Sequence, residues 1–114
     1  MARISTHVLD TSRGIPALGM RVRLYAVEGE IRRLLAASFT NADGRSSEPL
    51  GDRVPLETGI YELEFGVGDY FNLPGQQPPF LGEVTIRFGV PDPHGSYHVP
   101  LLVSPYAYST YRGS

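Results

Sequence analysis

Proline and glycine interrupt this chain at 10 and 13 of its 114 positions, so the stretches between them are mostly of strand length and leave little room for helices. An all-β fold follows. From Met20 the residues alternate, with Val22, Leu24 and Ala26 on one face and Arg21, Arg23 and Tyr25 on the other, the period-2 pattern of a half-buried strand. Similar strands are predicted at Arg3 to Leu9, Leu34 to Thr40, Ile60 to Val67, Val84 to Phe88, Tyr97 to Ser104 and Tyr106 to Tyr111. Seven or eight such strands make a two-sheet β-sandwich. Gly29 and the run Asn41-Ala42-Asp43-Gly44 are turn signals, and Gly68 to Leu73 is the one segment suited to a short helix, with Asp69 as its cap.

The length suits one domain, residues 1–114, with a core that needs no staples, and the absence of cysteine excludes a disulfide framework. A net charge of -2 offers no footprint for nucleic acid. No stretch approaches the roughly 20 apolar residues of a membrane span, and Met1 to His7 lack the apolar core of a secretory signal. A cytoplasmic protein is expected. There is also no phosphate loop, no Gly-x-Ser-x-Gly elbow and no His-Glu-x-x-His helix.

Among residues able to carry chemistry, His7 shares a strand face with Ser5 and Leu9, while Ile4, Thr6 and Val8 form the more apolar face that turns inward. His98 likewise falls opposite Tyr97, Val99, Leu101 and Val103, on the outer face with Pro100, Leu102 and Ser104. Each histidine, taken alone, reads as structural; each can also titrate near neutral pH and move protons. Pro100 cannot donate to a ladder, so its strand is an edge at that point or its backbone nitrogen faces solvent. Arg45 follows the Asp43-Gly44 turn, where a guanidinium offers a planar fork of donors. Tyr106 and Tyr108 share a face and suit packing or an interface. The approach to Tyr111-Arg112-Gly113-Ser114 is apolar, aromatic and β-branched, unlike a frayed tail, so this finish is expected to be held in place.

Three separated blocks carry a resemblance. Ile4-Ser5-Thr6-His7-Val8-Leu9-Asp10-Thr11 with Gly14 and Pro16-Ala17, then Thr40 to Arg45, then Tyr97 to Pro105 leading to Tyr108-Ser109-Thr110-Tyr111-Arg112-Gly113-Ser114, resemble the transthyretin-related 5-hydroxyisourate hydrolases over nearly the whole chain. The closing Tyr-Arg-Gly-Ser separates those hydrolases from transthyretin proper, a carrier. Glu28 to Arg33 and Gly51 to Leu56 carry no family signature and are expected to be variable surface loops.

The resemblance implies a transthyretin-like β-sandwich, a homotetramer with sites at subunit interfaces, and hydrolysis of 5-hydroxyisourate to 2-oxo-4-hydroxy-4-carboxy-5-ureidoimidazoline in urate degradation, with no metal or cofactor. It places catalysis on His7, Arg45, His98 and Ser114, and substrate contacts on His7, Arg45, Tyr111 and Arg112. A histidine-activated water would attack the ring carbonyl while Arg45 binds the heterocycle and the developing oxyanion. His98, beside Ser114, is assigned the water and His7 the leaving nitrogen, and the exchange of these roles stays open. A second subunit would cover the outward histidines together with Leu9, Leu102 and the exposed tyrosines. The competing readings are a carrier that holds a small aromatic ligand without chemistry, and a sandwich used for adhesion or assembly.

Overall fold

The computed structural model describes residues 2–48, 50 and 56–114. Its strands are β1 (Arg3–Asp10), β2 (Ile15–Pro16), β3 (Arg21–Glu28), β4 (Ile31–Phe39), β5 (Gly59–Phe65), β6 (Val84–Val90), β7 (Ser96–Val103) and β8 (Tyr108–Thr110), with one helix, α1 (Val67–Phe71), between β5 and β6. They form two four-stranded sheets, ordered β2-β1-β7-β8 and β4-β3-β5-β6. The expected two-sheet sandwich with a short helix is the architecture found. No helix among the described residues is long and apolar enough to cross a membrane.

Alternation assigns the faces correctly where it is cleanest. Val22 and Leu24 are fully buried and Ala26 nearly so, while Ile4, Thr6 and Val8 turn into the core and Ser5, His7 and Leu9 turn out. Thr6 is tolerated inside because its hydroxyl donates to the Val99 carbonyl at 2.7 Å. Between the sheets Phe65, Met20, Leu24, Leu50, Leu63 and Leu101 are completely or almost completely enclosed.

Several expectations are corrected. The segment Glu28 to Arg33 is a tight hairpin, not a loop: β3 and β4 pair through to Glu28 opposite Ile31, and Gly29 takes the left-handed φ of 60° that the turn requires. β4 therefore starts before Leu34, and its alternation is broken by Leu35, the extra residue where the register shifts between Leu24 and Tyr25. Arg32 is strand rather than loop because its guanidinium meets two acids of β5, Glu62 at 3.1 Å and Glu64 at 2.8 Å, and covers the Tyr25 ring at 3.9 Å. Of Gly51 to Leu56, residues 51–55 lie outside the described ones, and Leu56 is buried core. Helix α1 starts from Gly66 without a side-chain cap; Asp69 sits in its first turn, 3.6 Å from Arg21, and Asn72 closes the helix with φ 44°. Tyr106 belongs to the turn before β8, its ring 6.3 Å from Phe80, so it does not share a strand face with Tyr108. The two-residue β2 escaped the periodicity because two residues have no period.

The pairing that matters most is β1 with β7, which run parallel with Ser5 opposite His98, His7 opposite Pro100 and Leu9 opposite Leu102. β7 is an interior strand, flanked by β1 and β8. The expectation for Pro100 holds locally: β8 ends at Thr110, paired with Leu101, one step short of the position facing Pro100. There the Thr110 hydroxyl donates to the Pro100 carbonyl at 2.6 Å, and the same register resumes where Gly113 faces His98.

Candidate active site

The outer face of the β1–β7 pair carries both histidines, and two further segments close on it. Asn41 to Gly44 form a tight turn in which the Asn41 side chain accepts hydrogen bonds from the amides of Asp43 at 2.9 Å and Arg45 at 3.2 Å, while the Gly44 amide donates to the Asn41 carbonyl at 2.9 Å. Gly44 adopts a φ of 78°, and its carbonyl accepts the Val8 amide at 2.8 Å. Arg45 is thereby bridged to His7 on the free side of β1. The Gly44 Cα faces the Cδ2 edge of the His7 ring closely enough that an added Cβ would come within 3.3 Å of it. The Arg45 guanidinium is exposed and makes no ion pair or hydrogen bond among the described residues.

On the other side of β7, the Gly113 amide donates to the His98 carbonyl at 2.8 Å. Its Cα presses on the His98 ring, so a Cβ there would overlap Cδ2 and stand 3.1 Å from Cγ. The opposite edge of that ring faces Ser5, whose Oγ lies 2.8 Å from Nδ1. His98 is half-buried, and its burial, then the neighbouring Arg45, then His7, hold its pKa below the usual imidazole value. That shift favours the neutral ring, the form able to accept a proton.

The structure thus brings together His7, Arg45 and His98, with Gly113 against His98 and the exposed Ser114 following Gly113 in the chain. Tyr111 is 60% exposed and faces Pro100 in the continued register. Arg112 turns the other way: its guanidinium lies 4.9 Å over the ring of Tyr97, a core residue, and reaches the Ser96 carbonyl at 3.4 Å. His94 stays in its Asp92-to-Gly95 turn. Ser5 and Asn41 contact His98 and the Arg45 turn, contacts that the sequence reading did not single out. Ser5 sits on the same predicted face as His7, but only the register with β7 shows that it meets His98. Among the described residues no three His, Cys, Asp or Glu side chains are grouped to hold a metal ion.

The edges of β6 and β8 bound an apolar cavity of about 240 Å³ lined by Ile86, Phe88, Val99, Thr110 and Tyr111 among others. Chemically, the outer face offers two imidazoles and a guanidinium without an ion pair among the described residues. That set suits proton transfer to a water and stabilisation of an oxyanion at a planar polar substrate.

A family model described as the HIUase/Transthyretin family matches residues 4–113. The 5-hydroxyisourate hydrolase of Deinococcus radiodurans is 52% identical, over 97% of this chain and 95% of its own. The solved 5-hydroxyisourate hydrolase of Klebsiella pneumoniae superposes with a TM-score of 0.79 at 36% identity, covering 98% of this chain and 99% of that one. Transthyretin from Sparus aurata shares the fold, with a TM-score of 0.84 at 24% identity over 97% and 96% of the two chains.

Proposed function

The chain belongs to the HIUase/transthyretin family, and from that membership and the site geometry we infer that it hydrolyses 5-hydroxyisourate to 2-oxo-4-hydroxy-4-carboxy-5-ureidoimidazoline, a step of urate degradation. It is a cyclic amide hydrolase built on a transthyretin-like sandwich. The observation that carries the reading is His98 set beside His7 and Arg45 on one face of the β1–β7 pair, in a chain far closer to the hydrolases than to transthyretin. Residues 1–114 act as one such domain.

In the proposed reaction, a water oxygen attacks the ring carbonyl carbon and its proton passes to the His98 imidazole. Arg45 donates to the substrate and to the oxyanion that forms on the carbonyl oxygen. As the oxyanion collapses, the carbon–nitrogen bond breaks and the departing nitrogen takes a proton delivered through His7, leaving a carboxylate product. Tyr111 and Ser114 complete the substrate's surroundings. Arg112, stacked on Tyr97, serves best as the brace that sets the Gly113 contact.

The proposed assembly is a homotetramer in the cytoplasm, with the sites covered at subunit interfaces. It is supported by the open edges of β6 and β8 around an apolar cavity, and by the half-buried Leu9 and Leu102 beside the histidines. Light scattering coupled to gel filtration should give four times the chain mass, and a monomeric active enzyme would overturn it; cell fractionation checks the location.

The function itself is tested by following the ultraviolet absorbance of freshly generated 5-hydroxyisourate. The protein should accelerate its decay, and His7→Ala, Arg45→Ala and His98→Ala should each slow turnover by about 10² to 10⁴-fold. Wild-type rates in all three variants would sink the site assignment.

A further inference from the structure

We propose that Ser5 is a positioning residue for His98: its Oγ accepts the Nδ1 proton and so holds the imidazole in the tautomer whose Nε2 is bare and able to take a proton from water. This rests on the hydrolase reading above and settles which histidine serves as the base.

The geometry has three parts. Ser5 stands directly opposite His98 in the parallel β1–β7 register, with Oγ and Nδ1 2.8 Å apart. Gly113 packs against Cδ2, across the ring from Nδ1, so the imidazole is held between a hydroxyl and a backbone that leaves no space for a Cβ. His7, in contrast, has no side-chain hydrogen bond among the described residues. Of the two imidazoles only His98 has one nitrogen engaged, which is what a directed base requires.

A neutral imidazole carries a single ring proton, and the nitrogen facing Ser5 either donates it or accepts one. If Ser5 donated, Nε2 would carry the ring proton and could not act as base. If Ser5 accepts, its own exposed hydroxyl proton is satisfied by water and the bond to Nδ1 persists after His98 has taken up a proton. The same contact then serves both halves of the catalytic cycle. The charged and titratable groups bearing on the ring are Arg45 from the turn and His7 from β1, and both disfavour a second proton on it.

The experiment pairs kinetics with a substrate-free reading. In wild type, long-range proton–nitrogen NMR of the histidine side chains should show His98 with a protonated Nδ1 and an unprotonated Nε2. Ser5→Ala should lower kcat by about 10- to 100-fold with KM within about twofold, and should mix the two tautomers. Ser5→Thr, which keeps the hydroxyl and suits a strand, should restore both. A wild-type ring protonated on Nε2, or an undiminished kcat in Ser5→Ala, would overturn the proposal, as would failure of Ser5→Thr to rescue. If the protein did not accelerate 5-hydroxyisourate decay at all, the hydrolase reading would fall while the NMR result still reported the Ser5–His98 bond.

Discussion

Gly44 is where the turn, the first strand and the Arg45–His7 bridge are tied together, so substituting alanine there tests the construction of the site. Two costs are separable. The left-handed φ of 78° makes any Cβ unfavourable by about 1–2 kcal/mol. The added Cβ would also press into the Val8 carbonyl oxygen and stand 3.1 Å from the Pro16 side chain. That carbonyl accepts the Ala17 amide at 2.9 Å, and the Val8 amide donates to the Gly44 carbonyl at 2.8 Å, so relief of the clash strains two hydrogen bonds worth about 0.5–1.5 kcal/mol each. Gly14→Ala supplies the control, because its φ is 69° and nothing lies within 4 Å of its Cβ position. At about 4 °C per kcal/mol, Gly14→Ala should lower Tm by about 5 °C and Gly44→Ala by about 10–15 °C, measured by circular dichroism at one protein concentration. Turnover should survive in Gly14→Ala and fall by about 10²-fold in Gly44→Ala, since Arg45 and His7 are displaced together. Equal Tm losses in the two variants, or full turnover in Gly44→Ala, would refute the reasoning.

Other outcomes follow from contacts away from that turn. The Asp10 carboxylate is fully buried; burial pushes its pKa up, but hydrogen bonds from Ser12, Tyr70 and the Arg13 amide outweigh this and bring it below the usual value. Tyr70→Phe removes a 2.9 Å bond to it and should cost about 1–2 kcal/mol in urea unfolding at pH 7 with kcat unchanged. Because the folded-state pKa is the lower one, that contribution is present above about pH 4 and is lost as the pH falls further, so the gap between Tyr70→Phe and wild type should narrow there. Arg32→Ala should cost about 1 kcal/mol, a figure reduced by the 37% exposure of its side chain, and its deficit should likewise shrink below the ordinary Glu range, because Glu64 has its pKa lowered by Arg32 against the opposing effect of burial. Deleting residues 111–114 removes the Gly113 contact on His98 and should abolish 5-hydroxyisourate turnover while leaving the two sheets folded; full activity in that truncation would contradict the proposed role of the segment.

The faces of the sandwich were legible because alternation records which side of a strand meets the core. Val22, Leu24 and Ala26, or Ile4, Thr6 and Val8, need no knowledge of their neighbours to be placed inward. Alternation says nothing about who stands alongside. That Ser5 faces His98 depends on a parallel pairing across most of the chain, and that Arg45 reaches His7 depends on the Gly44 carbonyl finding the Val8 amide. In β4 the pattern itself was misleading, since the extra residue Leu35 puts the period out of phase and Arg32 is retained by acids on β5. The histidines, Arg45 and the closing tetrapeptide stood out by residue type and position, resemblance gave them roles, and the partners that orient them came from register.

Because β1 finds its parallel partner only in β7, the order in which the polypeptide is made governs when the site can exist. The sheet of β3 to β6 draws on residues 21–90 and can close on itself first. β7 emerges about 90 residues after β1, so at about 5–20 residues per second the first strand waits about 5 to 20 s for its neighbour. Throughout that interval β1 lacks the neighbour that brings His98 opposite Ser5. The two histidines can therefore come together only once β7 has been made, and a chain interrupted before it carries the first histidine without the second.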